Sequence, residues 1–291
     1  MKIGDFDFES AGEPRKGSFA RVHEVKSRTG ERLALKVLDG EGKEDVFRGF
    51  LEDESKIGAL GEEEGFVPVI AKGVNRGLPW LLMPFYEESL RDRLKDRGAL
   101  AIEETYQLGR KLAVAMSWAH RLKVVHRGLK PENIFFTKEG KPVIADLGIA
   151  RHVVAYRAKA RRAAGATRLE EAPLSMAPEE ILLQEEKITP QADIYSLGTI
   201  LYECLVQDPP IGEQSIEQRI APRDRDANFL PLVARKGDVP LHLAKTITVS
   251  LMFDHRRRYK DGSYLAQSLG VLTEQRRTEL ERLGIQRTFA P

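Results

Sequence analysis

Lys36 places a cation at the end of the alternating stretch Leu33-Ala34-Leu35-Lys36, and Asp146 follows the apolar run Val143-Ile144-Ala145 in Asp146-Leu147-Gly148. Close by in the chain lie two further stretches with reactive residue types. Arg15-Lys16-Gly17-Ser18-Phe19-Ala20-Arg21-Val22 is basic with one glycine, and His126-Arg127-Gly128-Leu129-Lys130-Pro131-Glu132-Asn133 holds a histidine and two cations. Taken singly these are weak signals: a lysine at a strand end is usually solvated, and Asp146-Leu147-Gly148 alone is an ordinary turn.

Periodicity shows which elements would position these residues. Residues 21–25 alternate, Arg28-Thr29-Gly30-Glu31 is a turn, and 32–38 alternate again. From 44 to 60 the pattern turns helical, with Phe47, Phe50, Leu51, Ile57 and Leu60 as its apolar set. Short strands are predicted around 67–74 and 80–85. Beyond Glu88, Leu108, Leu112, Ala115 and Ala119 predict a buried helix over 102–121. Strands at 133–136 and 142–145 flank a turn at 138–141, residues 149–176 read as irregular, and helices fill the remainder. Strands first and helices later predict an α+β fold: a small β-rich N-lobe over 1–83, a hinge at 84–88 and a larger α-helical C-lobe over 89–291.

The order of the motifs adds what none of them carries alone. LALK, MPFYEESL, HRGLKPEN, ADLG, APEE, ADIYSLG and RRRY follow one another at spacings that resemble the eukaryotic-type protein kinases from about residue 8 to 275, and KPEN is similar to the serine/threonine branch. Phosphoryl transfer needs phosphates held, charge neutralised and a hydroxyl aligned. The resemblance implies that Lys36 pairs with nucleotide phosphates and with an acid on the 44–60 helix, Asp53 by register, with Glu54 one residue off. It implies Asp146 and Asn133 as Mg2+ ligands. It implies an adenine pocket of Val22, Ala34 and Phe135, with Met83 as gatekeeper, Pro84 following it, and Tyr86 offering backbone N–H and C=O. Pro84 lacks an N–H, but adenine recognition there uses only the carbonyl. Gly17 is the one glycine left of the phosphate-covering loop, so Arg15 and Ala20 should stiffen it. Arg15 and Lys16 read either as phosphate contacts or as plain solvent-facing cations. His126 is expected to pack beneath Leu147, Asp193 to hold the loop backbone, and Glu179 and Arg258 to form a buried ion pair.

Against that pattern, Gly128 stands where the family has its catalytic aspartate. A general base contributes about 10²–10⁴-fold in rate, roughly 3–5 kcal/mol of barrier. Ala172 stands where the family has a threonine that contacts this aspartate and the lysine at 130, and its glycine neighbour is Glu171. Two absent members of one hydrogen-bonded cluster fit natural loss of transfer better than a single engineered change. The expected function is a pseudokinase that binds ATP and Mg2+ and acts as regulator or scaffold. The alternative is an active serine/threonine kinase, or the inactivated copy of one, and a third reading is nucleotidyl transfer on the same fold.

Composition bounds the remainder. The chain has 291 residues, 42% hydrophobic and 31% charged, which suits a globular protein with an ample core. Its net charge of +2 is too small to argue for nucleic acid. No run of about 18 apolar residues occurs, so no membrane span is expected; the N-terminus has no apolar signal core, and a cytoplasmic setting is expected. Cys204 reads as a buried thiol. The stretch 151–168 carries Arg157, Lys159, Arg161 and Arg162 with no acid between its ends; it reads as a solvated loop or as a docking surface for a protein partner.

Overall fold

The computed structural model describes residues 2–3, 6–7, 9–10, 13–16, 20–38, 49, 60–75, 77–147, 158–159, 161–169, 172–208, 210, 216–220 and 232–270. Gly17, Asp53, Glu54, Gly148 and most of the predicted 44–60 helix lie outside them.

Alternation builds the N-terminal part. Strands β1 (Lys2–Ile3) and β2 (Phe6–Asp7) pair as a ribbon. β3 (Glu9–Ser10), β4 (Arg15–Lys16), β5 (Ala20–Lys26), β6 (Arg32–Leu38), β7 (Ala71–Asn75) and β8 (Leu78–Pro84) form one antiparallel sheet in the order β3-β5-β6-β8-β7, with β4 also on β5. Val25, Leu33, Leu35, Trp80 and Leu82 are buried together on one face. The opposite residues of the same strands, Ala20, Leu38 and Leu81, join the main core. This period of two sends Lys36, Ala34 and Met83 to the face turned toward the helical part. β7 is shorter than the predicted 67–74 strand. The Val67 N–H is taken by Ile144 O at 2.9 Å, and Pro68 has no N–H to give to a ladder.

The helical part grows around two helices, α2 (Ile102–Arg121) and α4 (Pro190–Val206), after the short α1 (Leu90–Arg97) and α3 (Pro178–Ile181). In α2 the buried positions Thr105, Leu108, Leu112, Ala115, Met116 and Ala119 fall at three- and four-residue spacing. α4 is buried along most of its length and runs through the core, with Ile194, Tyr195, Leu197, Ile200, Leu201, Tyr202 and Cys204 all buried. α5 (Ile216–Ile220), α6 (Leu232–Arg235), α7 (Leu241–Ser250) and α8 (Gly262–Ser268) complete it. Gly262 lets α8 lie directly on α2: a Cβ there would sit 2.5 Å from Ser117 N. No helix among the described residues is long and apolar enough to cross a membrane.

Residues 85–89 join the sheet to α1, and the hairpin β9 (Ile134–Phe136) and β10 (Pro142–Ile144) lies beneath them. Phe136 N donates to Glu88 O at 3.2 Å. Arg32 reaches across to the Glu87 carboxylate and lies over the Phe85 ring at 4.3 Å, and Tyr86 donates its hydroxyl proton to Glu62. The connection between the two parts is therefore tied down by side chains from both strands and loops.

Candidate nucleotide and phosphotransfer site

The register of the β9–β10 hairpin brings the predicted oxygen donors together. Ala145 N donates to Asn133 O at 2.8 Å, so Asn133, just before β9, and Asp146, just after β10, emerge at the same end. Lys36, on the inward face of β6, meets Asp146 there: Nζ lies 2.6 Å from Oδ1, with both side chains at least nine-tenths buried. Burial alone would raise the Asp146 carboxyl, but the Lys36 charge and hydrogen bond outweigh it, aided by Lys130, and hold it below the ordinary range. The expected acid partner of Lys36 on the 44–60 helix lies outside the described residues; the partner seen is Asp146.

Asn133 Nδ2 donates to Gly128 O at 2.8 Å, which leaves Oδ1 as the atom able to take a cation. Among the described residues no group of three or more His, Cys, Asp or Glu side chains could hold a metal. A Mg2+ at Asp146 and Asn133 would thus take its remaining ligands from phosphate and water, as is usual for this ion. The donor set fits, and the ion would supply neutralisation of phosphate charge.

The adenine-side residues also converge. Ala34 pairs with Met83 across β6 and β8, and Val22 pairs with Lys36 across β5 and β6. Phe135 bridges to Ser89 and its ring lies 5.9 Å from that of Tyr86, so it forms a floor directly under the 85–89 connection. The N–H and C=O of Tyr86 have no backbone partner among the described residues. These residues fit a flat heterocycle between the sheet and β9.

The segment 126–130 is held from beneath. Asp193, fully buried in the first turn of α4, accepts from His126 N at 2.8 Å, from Arg127 N at 3.0 Å and from His120 Nε2 at 3.0 Å. Burial raises its carboxyl, and these donors, His120 first, bring it below the ordinary range. His126 does more than pack: Nε2 donates to Ala145 O at 2.9 Å and Nδ1 accepts from Gly128 N at 3.2 Å, which sets its tautomer. Arg127 and Asp146 both have left-handed backbones, φ 62° and 66°, a conformation costly for side-chain-bearing residues. Asp193 and Lys36 are the groups that hold them there.

Gly128 is therefore fixed through its N–H and its C=O, with no carboxylate at the position between. None arrives from elsewhere among the described residues. Glu132 is bound by Arg91 at 2.8 Å, Asp146 by Lys36, and Glu180 is buried against Arg127. Lys130 makes no side-chain hydrogen bond among the described residues. Ala172, instead of offering a hydroxyl, packs with Met176 against buried Ala158, Leu169 and Leu183.

Several contacts around the site had no sequence signal. Arg127 pairs with Glu185 through two nitrogens, at 2.8 and 3.0 Å, while its Nε lies 3.4 Å from Glu180 Oε1. The Glu180 carboxyl, surrounded by apolar groups and by Asp193 and Glu179, is pushed up to about 8 by burial despite Arg127. Ser175 Oγ donates to Leu129 O and Ser196 Oγ to Ser175 O, both at 2.7 Å. Glu179 and Arg258 form the expected buried pair at 2.8 Å.

A two-part α+β fold with a lysine, an aspartate and an asparagine converging beneath a strand-lined slot defines the protein kinase class. The chain belongs to it: the protein kinase domain family matches residues 12–260. Among curated proteins it is similar to the serine/threonine-protein kinase PknK of Mycobacterium tuberculosis, 32% identical over 82% of this chain and 21% of PknK. It is also similar to PknD of the same species, 31% identical over 86% of this chain and 37% of PknD. The chain thus spans well under half the length of either relative. Among solved structures, Rad53 1-466 in complex with AMP-PNP shares the fold, with a TM-score of 0.71 and 20% identity over 92% of this chain and 66% of that one.

Proposed function

We propose that this kinase-family chain binds Mg-ATP in the cleft but has lost, or retains only a trace of, phosphotransfer, and serves in the cytoplasm as a regulator or scaffold. The observation that carries the reading is Gly128: its backbone is held on both sides by His126 and Asn133 as a working loop would be, yet no side chain there can accept a hydroxyl proton. Lys130, which makes no side-chain hydrogen bond among the described residues, and Ala172, turned to an apolar contact, support the same view. The retained Lys36–Asp146 pair and Asn133 support nucleotide binding. They also favour the second reading, an active serine/threonine kinase with slow, substrate-positioned transfer. Calorimetric titration with Mg-ATP tests the ligand, with saturable one-site binding expected. Incubation with labelled ATP followed by mass spectrometry tests the chemistry: stoichiometric phosphate on Ser or Thr would sink the pseudokinase reading, and adducts of nucleotide mass would point to nucleotidyl transfer.

A further inference from the structure

In the sequence Arg15 reads as a phosphate contact or as a solvent-facing cation, and the strand register gives its side chain a direction. Arg15 pairs with Val22 across β4 and β5, and Val22 pairs with Lys36 across β5 and β6. Directly opposed residues of antiparallel strands project to the same face. Arg15 therefore stands in one row with Val22 and Lys36, on the face turned toward the helical part. Among the described strands β4 bonds to β5 alone, which puts Arg15 at the rim of that face, and its side chain is exposed.

Across the slot from this rim lies the first turn of α1. Ser89 bridges to Phe135 on the floor. Three residues on, Asp92 forms a capping box with it: Ser89 N and Ser89 Oγ donate to Asp92 Oδ2 at 3.0 and 2.6 Å. Among the described residues no hydrogen bond is made to Oδ1. The Asp92 carboxyl is held below the ordinary range by the Ser89 hydroxyl first, and further by the Ser89 N–H and the charges of Arg15 and Lys95, against the opposing effect of burial. Glu24 also feels the Arg15 charge, but Arg32 already binds it at 2.6 Å. Of these two acids Asp92 is thus the one left for Arg15. The two charges act on each other through space, with no direct hydrogen bond between them among the described residues.

We propose that Arg15 and Asp92 form an electrostatic latch across the mouth of the slot, which draws the sheet toward α1 and slows the exchange of a nucleotide bound between them. The latch depends on a cation at 15, where the glycine of the phosphate-covering loop is missing. Oδ1 of Asp92 supplies the acceptor, and a guanidinium on a flexible stem supplies donors in a fork that suits a carboxylate. Because Arg15 is exposed, salt weakens the attraction. The effect on exchange rests on the nucleotide-binding reading; the charge pair itself does not.

The test uses the full chain, immobilised for surface plasmon resonance, with Mg-ATP and with adenosine. Arg15→Gln should speed the dissociation of both ligands about threefold, the size expected of one half-exposed ion pair. Asp92→Asn, which keeps an acceptor for Ser89, should do the same, and the double variant should be no faster than either single one. Lys26→Gln removes an equal charge from an exposed position on β5 and should leave both rates unchanged. A rise confined to Mg-ATP would make Arg15 a phosphate contact and overturn the latch, as would additive rises or none. In the ligand-free protein, NMR titration of the Asp92 carboxyl should move upward in Arg15→Gln and stay in place in Lys26→Gln. If neither ligand binds the parent, the nucleotide reading fails and this titration decides the latch: an Asp92 unmoved by Arg15→Gln overturns it.

Discussion

Glu180→Gln should change how stability depends on pH, and the size of the change follows from the burial of Glu180. One cation, Arg127, faces two acids. The more exposed Glu185 takes the bidentate pair, and the buried Glu180 keeps a proton, with its carboxyl pushed from 4.5 up to about 8. A carboxyl raised on folding contributes stability that is fully present below its unfolded value and is lost as pH rises through the folded value. Between about pH 5 and 7 the unfolded chain releases this proton while the folded protein keeps it. At about 1.36 kcal/mol per unit, that removes about 3 kcal/mol over the interval. Asp146 and Asp193 work in the opposite direction, because their depressed values make them lose stability only as pH falls below the ordinary carboxylate range. Glutamine keeps the acceptor for Ala177 N, bound by Oε2 at 3.2 Å, and cannot ionise. Urea unfolding at several pH values should show the parent declining over this interval and the variant declining about 3 kcal/mol less. Parallel declines in the two proteins would refute the assignment of the proton to Glu180.

Asp146→Ala should abolish any Mg-dependent thermal shift by ATP, since it would remove the proposed metal carboxylate and a partner of Lys36; an undiminished shift would place the ion elsewhere. Gly128→Asp alone should restore little transfer, because Ala172 still leaves Lys130 without its hydroxyl contact, and robust activity in a radiolabel assay would show that the single carboxylate suffices. Arg258→Ala should cost about 3–5 kcal/mol by denaturant unfolding, because it strands the buried Glu179 charge. A loss near zero would mean that the pair adds little to stability.

Much of the fold was legible because its signals are local. The alternation of 32–38 and the three- and four-residue spacing in 102–121 reappear as β6 and α2. The apolar segment after Asp193 became the buried α4. The 149–176 stretch reads as irregular, yet its described part packs, because alanines and one leucine suffice when Leu183 supplies the other side of the cluster. That contact is invisible to periodicity. The resemblance implies only a packing role for His126, and the folded loop shows both of its ring nitrogens bonded.

By itself the sequence determined which residue types could meet at the site: Lys36, Asn133 and Asp146 are present, the carboxylate at 128 is not, and the order of motifs is that of a kinase. Side-chain identity and spacing along the chain suffice for that. Tertiary structure decided who pairs with whom. Lys36 and Asp146 stand 110 positions apart and meet at 2.6 Å. Arg127 divides itself between Glu180 and Glu185, and Arg219, among the described residues, binds four carbonyls rather than an acid. The physical reason is that backbone acceptors carry no residue identity, and a buried charge takes whatever donors and acceptors the folded chain places within about 3 Å.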